Sequence, residues 1–308
     1  MVYQTFEQAA SALRACRGQR VAAVAAAGHS SVLQAVIQAK RQGVSEAILI
    51  GNAAAIKREL AALGGDRGDY DIVNVPDRRQ AGEKAVQLAK EGHANYLMKG
   101  MMETRDILRP LVKKENGMNT GRIMSHLGFN QLPDYHKLIV NTDGGMVISP
   151  SLQEKKGIIE NAVAAFHALG YVSPKAAVLA GVEKVNPRMQ ETVDAAALEQ
   201  MNRRGEISGC IVRGPLSYDV AMSARLAREK GCSCPDAGDF DILVAPNLAA
   251  GNILGKCWSC SAGAIMGGMV VGAKVPVILT SRGASAQEKY YAIVITALVA
   301  MGMEKQYE

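Results

Sequence analysis

A two-domain α/β fold, with largely parallel sheets and helices on both faces, is what this sequence predicts. Three features carry the expectation. Apolar β-branched runs alternate with helix-period segments almost from end to end. One interval in the middle breaks that rhythm with two strand-like runs too close together for a crossover helix. The 308 residues, 48% hydrophobic and 21% charged, suffice for about two cores.

The first strands read as VAAVAAA (21–27), EAILIG (46–51), DIVNV (71–75) and ANYLMKG (94–100). Such short apolar runs suit parallel strands buried on both faces. Between them lie SSVLQAVIQAKRQG, AAAIKRELAALGG and RRQAGEKAVQLAKEG, helical in period and closed by Gly, the usual C-terminal cap. GRIMSHLGF (121–129) and HKLIVNTD (136–143), separated by QLPDY, predict an antiparallel pair and the start of a second domain. The rhythm then resumes as a helix over 151–170, AAVLAG, a helix over 187–204, SGCIVRG, a helix over 217–230, FDILVAP, a helix over 251–269 and KVPVILT. A last helix, Ala286 to Met301, carries an apolar stripe that packs back on the first domain. The expected domains are thus 1–120 with 270–308, and 121–269.

Composition narrows the function. A net charge of +6 is modest, basic residues are dispersed, and aromatics total 5%, so nucleic acid is not an expected partner. A small anionic ligand fits better, because a few focused cations can attract one. No apolar stretch predicts a membrane-spanning helix, and the N-terminal segment lacks the apolar run of a signal peptide. A cytoplasmic location with reduced thiols is expected.

In open α/β sheets, ligands bind beyond the carboxyl ends of strands. The loops there read KGMMETRD (99–106), NTDGGM (141–146), RGPLSYD (213–219), APNLAAGN (245–252) and TSRGAS (280–285). Each combines Gly or Pro with polar side chains before a helix N-terminus, where exposed N–H groups and the helix dipole suit phosphate.

At these loops the chain resembles the phosphate acetyl/butyryltransferase family, most of all its butyryl branch. The matching pieces are MKG...TRDILRP (98–110), GMNTGRIMSH (117–126), RGPLSYDVAMS (213–223), DILVAPNLAAGNILGK (241–256) and LTSRGASAQEK (279–289), in the family's order and across nearly the whole chain. The resemblance implies an isocitrate/isopropylmalate-dehydrogenase-like fold with the active site in the interdomain cleft. It also implies a homodimer or higher homo-oligomer. The implied reaction is reversible transfer of a short acyl group, butyryl or alternatively acetyl, between CoA and inorganic phosphate. The CoA thiolate attacks the acyl phosphate directly, with CoA and acyl-CoA as substrates, no tightly bound cofactor and no metal.

That chemistry needs a base for the thiol, cations and N–H donors for phosphate, and two substrates held in attack geometry. Matched to the family's pattern, Arg282 would hold phosphate or the acyl oxygen through two parallel hydrogen bonds, and Ser281 would donate another. Glu288 falls where the family places an acidic residue, Asp in the acetyl branch, that deprotonates CoA. Ser285-Ala-Gln-Glu288 is also a capping box, which would tie the carboxylate to a backbone amide. Sequence leaves both readings open. Arg109 matches a second cleft arginine, and Pro110 after it predicts a break or bend. Thr104, in the preceding loop, could add a hydroxyl to phosphate.

Asp219 could orient an arginine, serve as an alternative base, or cap the helix over 217–230. Asn247 and Asn252 could bind acyl or phosphate oxygens, and Asn252 could instead cap the next helix. Gly214, Gly251 and Gly283 read as allowing close backbone approach. Lys256, His126 and His167 read as solvated or structural.

Two other classes compete. An NAD-dependent dehydrogenase could share the fold, but VAAVAAAGHSS offers a single Gly where G-x-G-x-x-G would open the first helix. A zinc-stabilised binding module would use Cys232, Cys234, Cys257 and Cys260. The helix after FDILVAP leaves the second pair short of the first, which favours cysteines acting as small apolar side chains.

Overall fold

The computed structural model describes residues 2–18, 20–281 and 283–304, and the chain divides into two compact units. Thr5–Arg122 and Met266–Glu308 form the terminal unit; Met1–Gln4 and Ile123–Ile265 form the central unit.

The terminal unit opens with a helix that the sequence reading did not anticipate, α1 (Phe6–Ala15). Thr5 caps it by accepting the Gln8 N–H, and Phe6, Ala9, Ala10 and Leu13 form its buried face. There follow β1 (Val21–Ala25), α2 (Ser30–Arg41), β2 (Glu46–Gly51), α3 (Ala53–Ala62), β3 (Asp71–Asn74), α4 (Arg78–Lys90), β4 (Tyr96–Lys99) and α5 (Thr104–Val112). His29, Asn52 and Asp77 cap the starts of α2, α3 and α4 with their side chains.

In the central unit, β5 (Ser125–Gln131) and β6 (Ile139–Thr142) form the expected antiparallel pair, with Gly128 opposite Asn141. Then come α6 (Leu152–Ala168), β7 (Lys175–Leu179), α7 (Gln190–Arg203) and β8 (Ile211–Leu216). The helix expected over 217–230 is two, α8 (Tyr218–Met222) and α9 (Ala224–Glu229). Ser223 between them is extended and caps α9, while the Ala221 carbonyl accepts the Gly238 N–H instead of extending a helix. β9 (Ile242–Val244) and α10 (Leu248–Ser261) complete this unit. Strand order is β5-β6-β9-β7-β8, with β6, β9, β7 and β8 parallel. Phe240, Leu243, Trp258 and Val220 lie in its core.

The chain returns to the terminal unit through β10 (Ile265–Val271), β11 (Val277–Ile278) and α11 (Ala286–Glu304). The sequence reading extended one helix across 251–269; α10 stops at Ser261 and β10 is a strand. Sheet order here is β3-β2-β1-β4-β11-β10, parallel apart from antiparallel β10. α11 packs on α1 and α2, and α4 packs on α5 and β1.

Buried lysines are a recurrent feature. Lys137 lies 2.7 Å from Asp241 and 2.8 Å from Asp239, and Lys155 lies 2.7 Å from Asp194. Each buried ammonium so paired recovers part of its lost hydration.

Candidate active site

In the terminal unit, β4 and β11 are neighbours and parallel, with Ile278 in register with Met98. Their carboxyl ends, and the loops that follow, are therefore side by side. Lys99 closes β4 with its side chain buried and donates to the Met102 carbonyl at 3.3 Å. Thr104 is exposed and is the first residue of α5, not part of the loop before it.

Arg109 is exposed on α5, and the helix does not break there: it runs through Pro110 to Val112. Proline lacks the N–H that would reach the Asp106 carbonyl. That carbonyl lies against α4 instead, where a Cβ on Gly82 would stand 2.3 Å from its oxygen. Asn116 Nδ2 donates to the Pro110 carbonyl at 2.6 Å, completing the helix end. Arg109 thereby joins Arg79, Arg105 and Lys113 around a depression of about 280 Å³ that also contains Glu83 and Asp106.

Ser281 is exposed beyond β11; its Oγ accepts the Gly283 N–H at 3.4 Å and its carbonyl accepts the Ala284 N–H. Arg282 lies outside the described residues. At Gly283 no atom stands within 4 Å of where a Cβ would be, so its small size serves no close approach within the described residues. The capping box is formed. Glu288 Oε2 accepts the Ser285 N–H at 2.7 Å and the Ser285 hydroxyl at 2.9 Å, and Ser285 Oγ accepts the Glu288 N–H at 3.1 Å. Glu288 Oε1 has no hydrogen-bond or ion-pair partner among the described residues.

The central unit gathers its residues around NTDGGM. Asp143, buried, accepts the N–H groups of Gly145 and Met146 on Oδ1 and of His126 on Oδ2. The loop then meets α10. Asn247 caps that helix by accepting the Ala250 N–H, so α10 begins before Asn252 and not at it. Asn252 lies inside the helix, where its Nδ2 donates to the Gly144 carbonyl at 3.0 Å. A Cβ on Gly251 would stand 2.4 Å from the Asp143 oxygen, so the backbone it admits is the protein's own. Asn141 Nδ2 donates to the Gly251 carbonyl at 2.8 Å from beneath.

Asp219 lies in the first turn of α8, where Lys230 and then Ser217 hold its carboxyl down at about 2. A carboxylate paired with Lys230 at 2.8 Å is a weak base. His126 is also singled out: burial pushes its imidazole below the usual histidine value, against the opposing charge of Asp143. Sequence reasoning passed over Asn141, Asp143, Lys99 and Lys289. The only signal was their presence in or beside strand-end loops; burial decides their importance.

No group of three or more His, Cys, Asp or Glu side chains suited to a metal occurs among the described residues. Cys232 and Cys234 pack against the Phe240–Trp258 core, and burial pushes both thiols up. Cys257 and Cys260 are exposed on α10, so they do not act as the buried apolar side chains expected of them.

The family model for phosphate acetyl/butaryl transferase matches residues 78–297. The chain belongs to that family. It is similar to the phosphate butyryltransferase of Clostridium acetobutylicum, 40% identical over 278 residues, 90% of this chain and 92% of the relative. It is also similar to the phosphate acetyltransferase of Thermotoga maritima, 38% identical over 92% of this chain and 96% of the relative. Among solved structures, a branched-chain phosphotransacylase from Enterococcus faecalis superposes with a TM-score of 0.81 at 30% identity, covering 92% of this chain and 99% of that one. Membership in the phosphate acetyl/butaryl transferases makes the protein an acyltransferase acting with phosphate. The mixed α/β fold with its mostly parallel sheets is the one expected. No described helix is long and apolar enough to cross a membrane.

Proposed function

We propose that this acyltransferase moves a short acyl group, butyryl first, between CoA and inorganic phosphate by direct thiolate attack on acyl phosphate. The thiol proton passes to Glu288 Oε1, the thiolate sulfur bonds to the acyl carbon, and the carbon–oxygen bond to the phosphoryl group breaks. Inorganic phosphate leaves with the electron pair. In reverse, a phosphate oxygen attacks the thioester and CoA departs.

The observation that supports this assignment of roles is the division of labour within one carboxylate. Oε2 satisfies the cap while Oε1 has no partner among the described residues, so capping and proton transfer need not compete for one oxygen. Ser281, exposed in the same loop, supplies a hydroxyl to phosphate, with Arg282 as the bidentate cation. The patch around Arg109 suits the anionic groups of CoA, and Thr104 adds a hydroxyl beside it. In the central unit, Asn247, Gly251 and Asn252 shape backbone for substrate contact, and Asp219 fixes Lys230. Butyryl preference draws support from 40% identity to the Clostridium relative. The acetyl alternative has 38% identity to the Thermotoga relative. A cytoplasmic homodimer or higher homo-oligomer, with no tightly bound cofactor, completes the proposal.

The test is phosphate-dependent release of CoA thiol from acetyl-, propionyl-, butyryl- and branched acyl-CoA. Butyryl-CoA should give the highest kcat/KM, and an acetyl-CoA maximum would replace the butyryl assignment. If no acyl-CoA is consumed, the reading fails. Arg282→Ala should lose most activity, and NAD should not be reduced with 2-hydroxy acids.

A further inference from the structure

Of the six cysteines, Cys257 and Cys260 alone are exposed. Cys16, Cys210, Cys232 and Cys234 are half-buried, and burial pushes the last three thiols up. Nothing in the acyl transfer proposed above uses the exposed pair. Three positions apart in the final turn of α10, the two side chains share one face of the helix. A small reagent in solvent therefore reaches either sulfur.

Between them stands Trp258, the one tryptophan in the chain. It is 3% exposed, lies in the core with Phe240 and Leu243, and donates from Nε1 to Tyr218 Oη at 2.8 Å. Tyr218 opens α8 between Ser217 and Asp219, directly after β8. The Trp258 carbonyl also accepts the Ala262 and Ala264 N–H groups, at 3.1 and 3.0 Å, where the chain leaves α10 for β10. The turn that carries the two thiols is thus held by a side chain that anchors the start of α8.

On a helix, positions three apart hold their Cβ atoms about 5–6 Å apart. A disulfide needs about 3.5–4.5 Å. Bond formation therefore draws the final turn together by roughly 1–2 Å and pulls on Trp258. Strain of this kind leaves a disulfide easy to reduce, so the bond opens as readily as it closes.

We propose that Cys257 and Cys260 are a reversible modification site, closing to a disulfide within α10 by exchange with a low-molecular-weight disulfide such as oxidised glutathione, and that closure loosens the Trp258–Tyr218 anchor. One cysteine sulfur gives up its proton and attacks a sulfur of oxidised glutathione, forming a mixed disulfide and releasing one glutathione thiolate. The second cysteine sulfur, deprotonated in turn, attacks the protein sulfur of that mixed disulfide, and the second glutathione thiolate leaves. The two protons go to the two departing thiolates. Two protein thiols are oxidised and one glutathione disulfide is reduced. The site goes beyond the function proposed above; only its effect on turnover rests on that reading.

The test treats reduced wild-type protein, Cys257→Ser and Cys260→Ser with oxidised glutathione, followed by intact mass, thiol titration, thermal melting and phosphorolysis of butyryl-CoA. Wild type should lose the mass of two hydrogens and two titratable thiols, and dithiothreitol should restore both. Each single variant should instead retain one glutathione, because no second thiol displaces it. So short a loop gains least from restricting the unfolded chain, and strain at Trp258 sets the sign: oxidised wild type should melt at least about 3 °C lower. The glutathione adducts of the variants should melt within about 1 °C of their reduced forms. On oxidation, kcat/KM for butyryl-CoA should fall at least about threefold in wild type, and reduced Cys257→Ser should match reduced wild type. Two glutathione adducts on wild type, a disulfide between chains, or unreacted thiols overturn the site. A disulfide that leaves the melting temperature unchanged or raised overturns the coupling to Trp258, and one that leaves turnover unchanged overturns its effect on activity. Wild type that forms the disulfide and melts lower but consumes no acyl-CoA overturns the enzymatic reading and leaves the site standing.

Discussion

Glu288 Oε2 accepts both the backbone N–H and the hydroxyl of Ser285, at 2.7 and 2.9 Å, while its Oε1 has no partner among the described residues. The pair makes separable predictions. Glu288→Gln keeps a capping box, since glutamine can fill the same role, but removes a proton acceptor. It should lower kcat/KM by about 10²-fold or more with little change in melting temperature. Glu288→Ala should add a loss of about 1 kcal/mol in urea unfolding. Full activity in the Gln variant would reduce Glu288 to a cap.

Gly251 sets helix propensity against tertiary packing. By propensity alone, Gly251→Ala in α10 gains about 1 kcal/mol. The Cβ would stand 2.4 Å from the Asp143 oxygen, and that partner is backbone. The loop or the helix must shift, so the variant should lose about 1–3 kcal/mol in urea unfolding. A more stable variant would show that the loop yields freely.

The Lys155–Asp194 pair joins α6 to α7 with both side chains under 10% exposed. Removing one partner strands a buried charge, so Asp194→Ala should cost about 3–5 kcal/mol. Lys155→Met with Asp194→Leu should cost much less than the sum of the two single changes. Additive losses in a double-mutant cycle would mean that the two groups are not coupled.

Asp239 ties stability to acid. Burial opposes its ionisation, but Lys137, Lys175 and His136, all within 3.0 Å, outweigh that and hold its carboxyl well below the usual range. A depressed carboxyl stabilises the fold above the unfolded value of about 4, and loses that contribution as pH falls through the folded value. Asp239→Asn should therefore unfold at lower urea than wild type at pH 7, with the gap narrowing below about pH 4. A gap constant from pH 7 to pH 3 would rule out the linkage.

Much of the fold was legible because the signals are local. EAILIG is β2 to the residue, and the antiparallel β5–β6 pair follows from a connection too short for a helix. Where the reading failed, long-range contacts decided. IMGGM, the end of the helix expected over 251–269, lies instead in β10, which pairs with β11 at Val270 and Val277, and its Gly267 admits the backbone of α11, with Ala292 N 2.9 Å from where a Cβ would be. Pro110 predicts a break or bend at Arg109; α5 does not break, and the Asp106 carbonyl left free is accommodated against Gly82, a residue 28 positions before the proline.

The candidate site divides along the same line. Sequence by itself determined the family, the loops at strand ends and the Ser285–Glu288 box, because motif order and a three-residue spacing are written directly in the chain. It also offered Glu288 as base or cap without deciding between them. Only the tertiary structure put the cap on Oε2 of Glu288, paired Asp219 with Lys230, and placed Asn252 inside α10 against Gly144. It alone showed that Lys289 is buried with no ion pair among the described residues while Lys137 and Lys155 have theirs. Burial and partnership depend on residues distant in sequence, and those two properties set the cost of a charge and the basicity of a carboxylate.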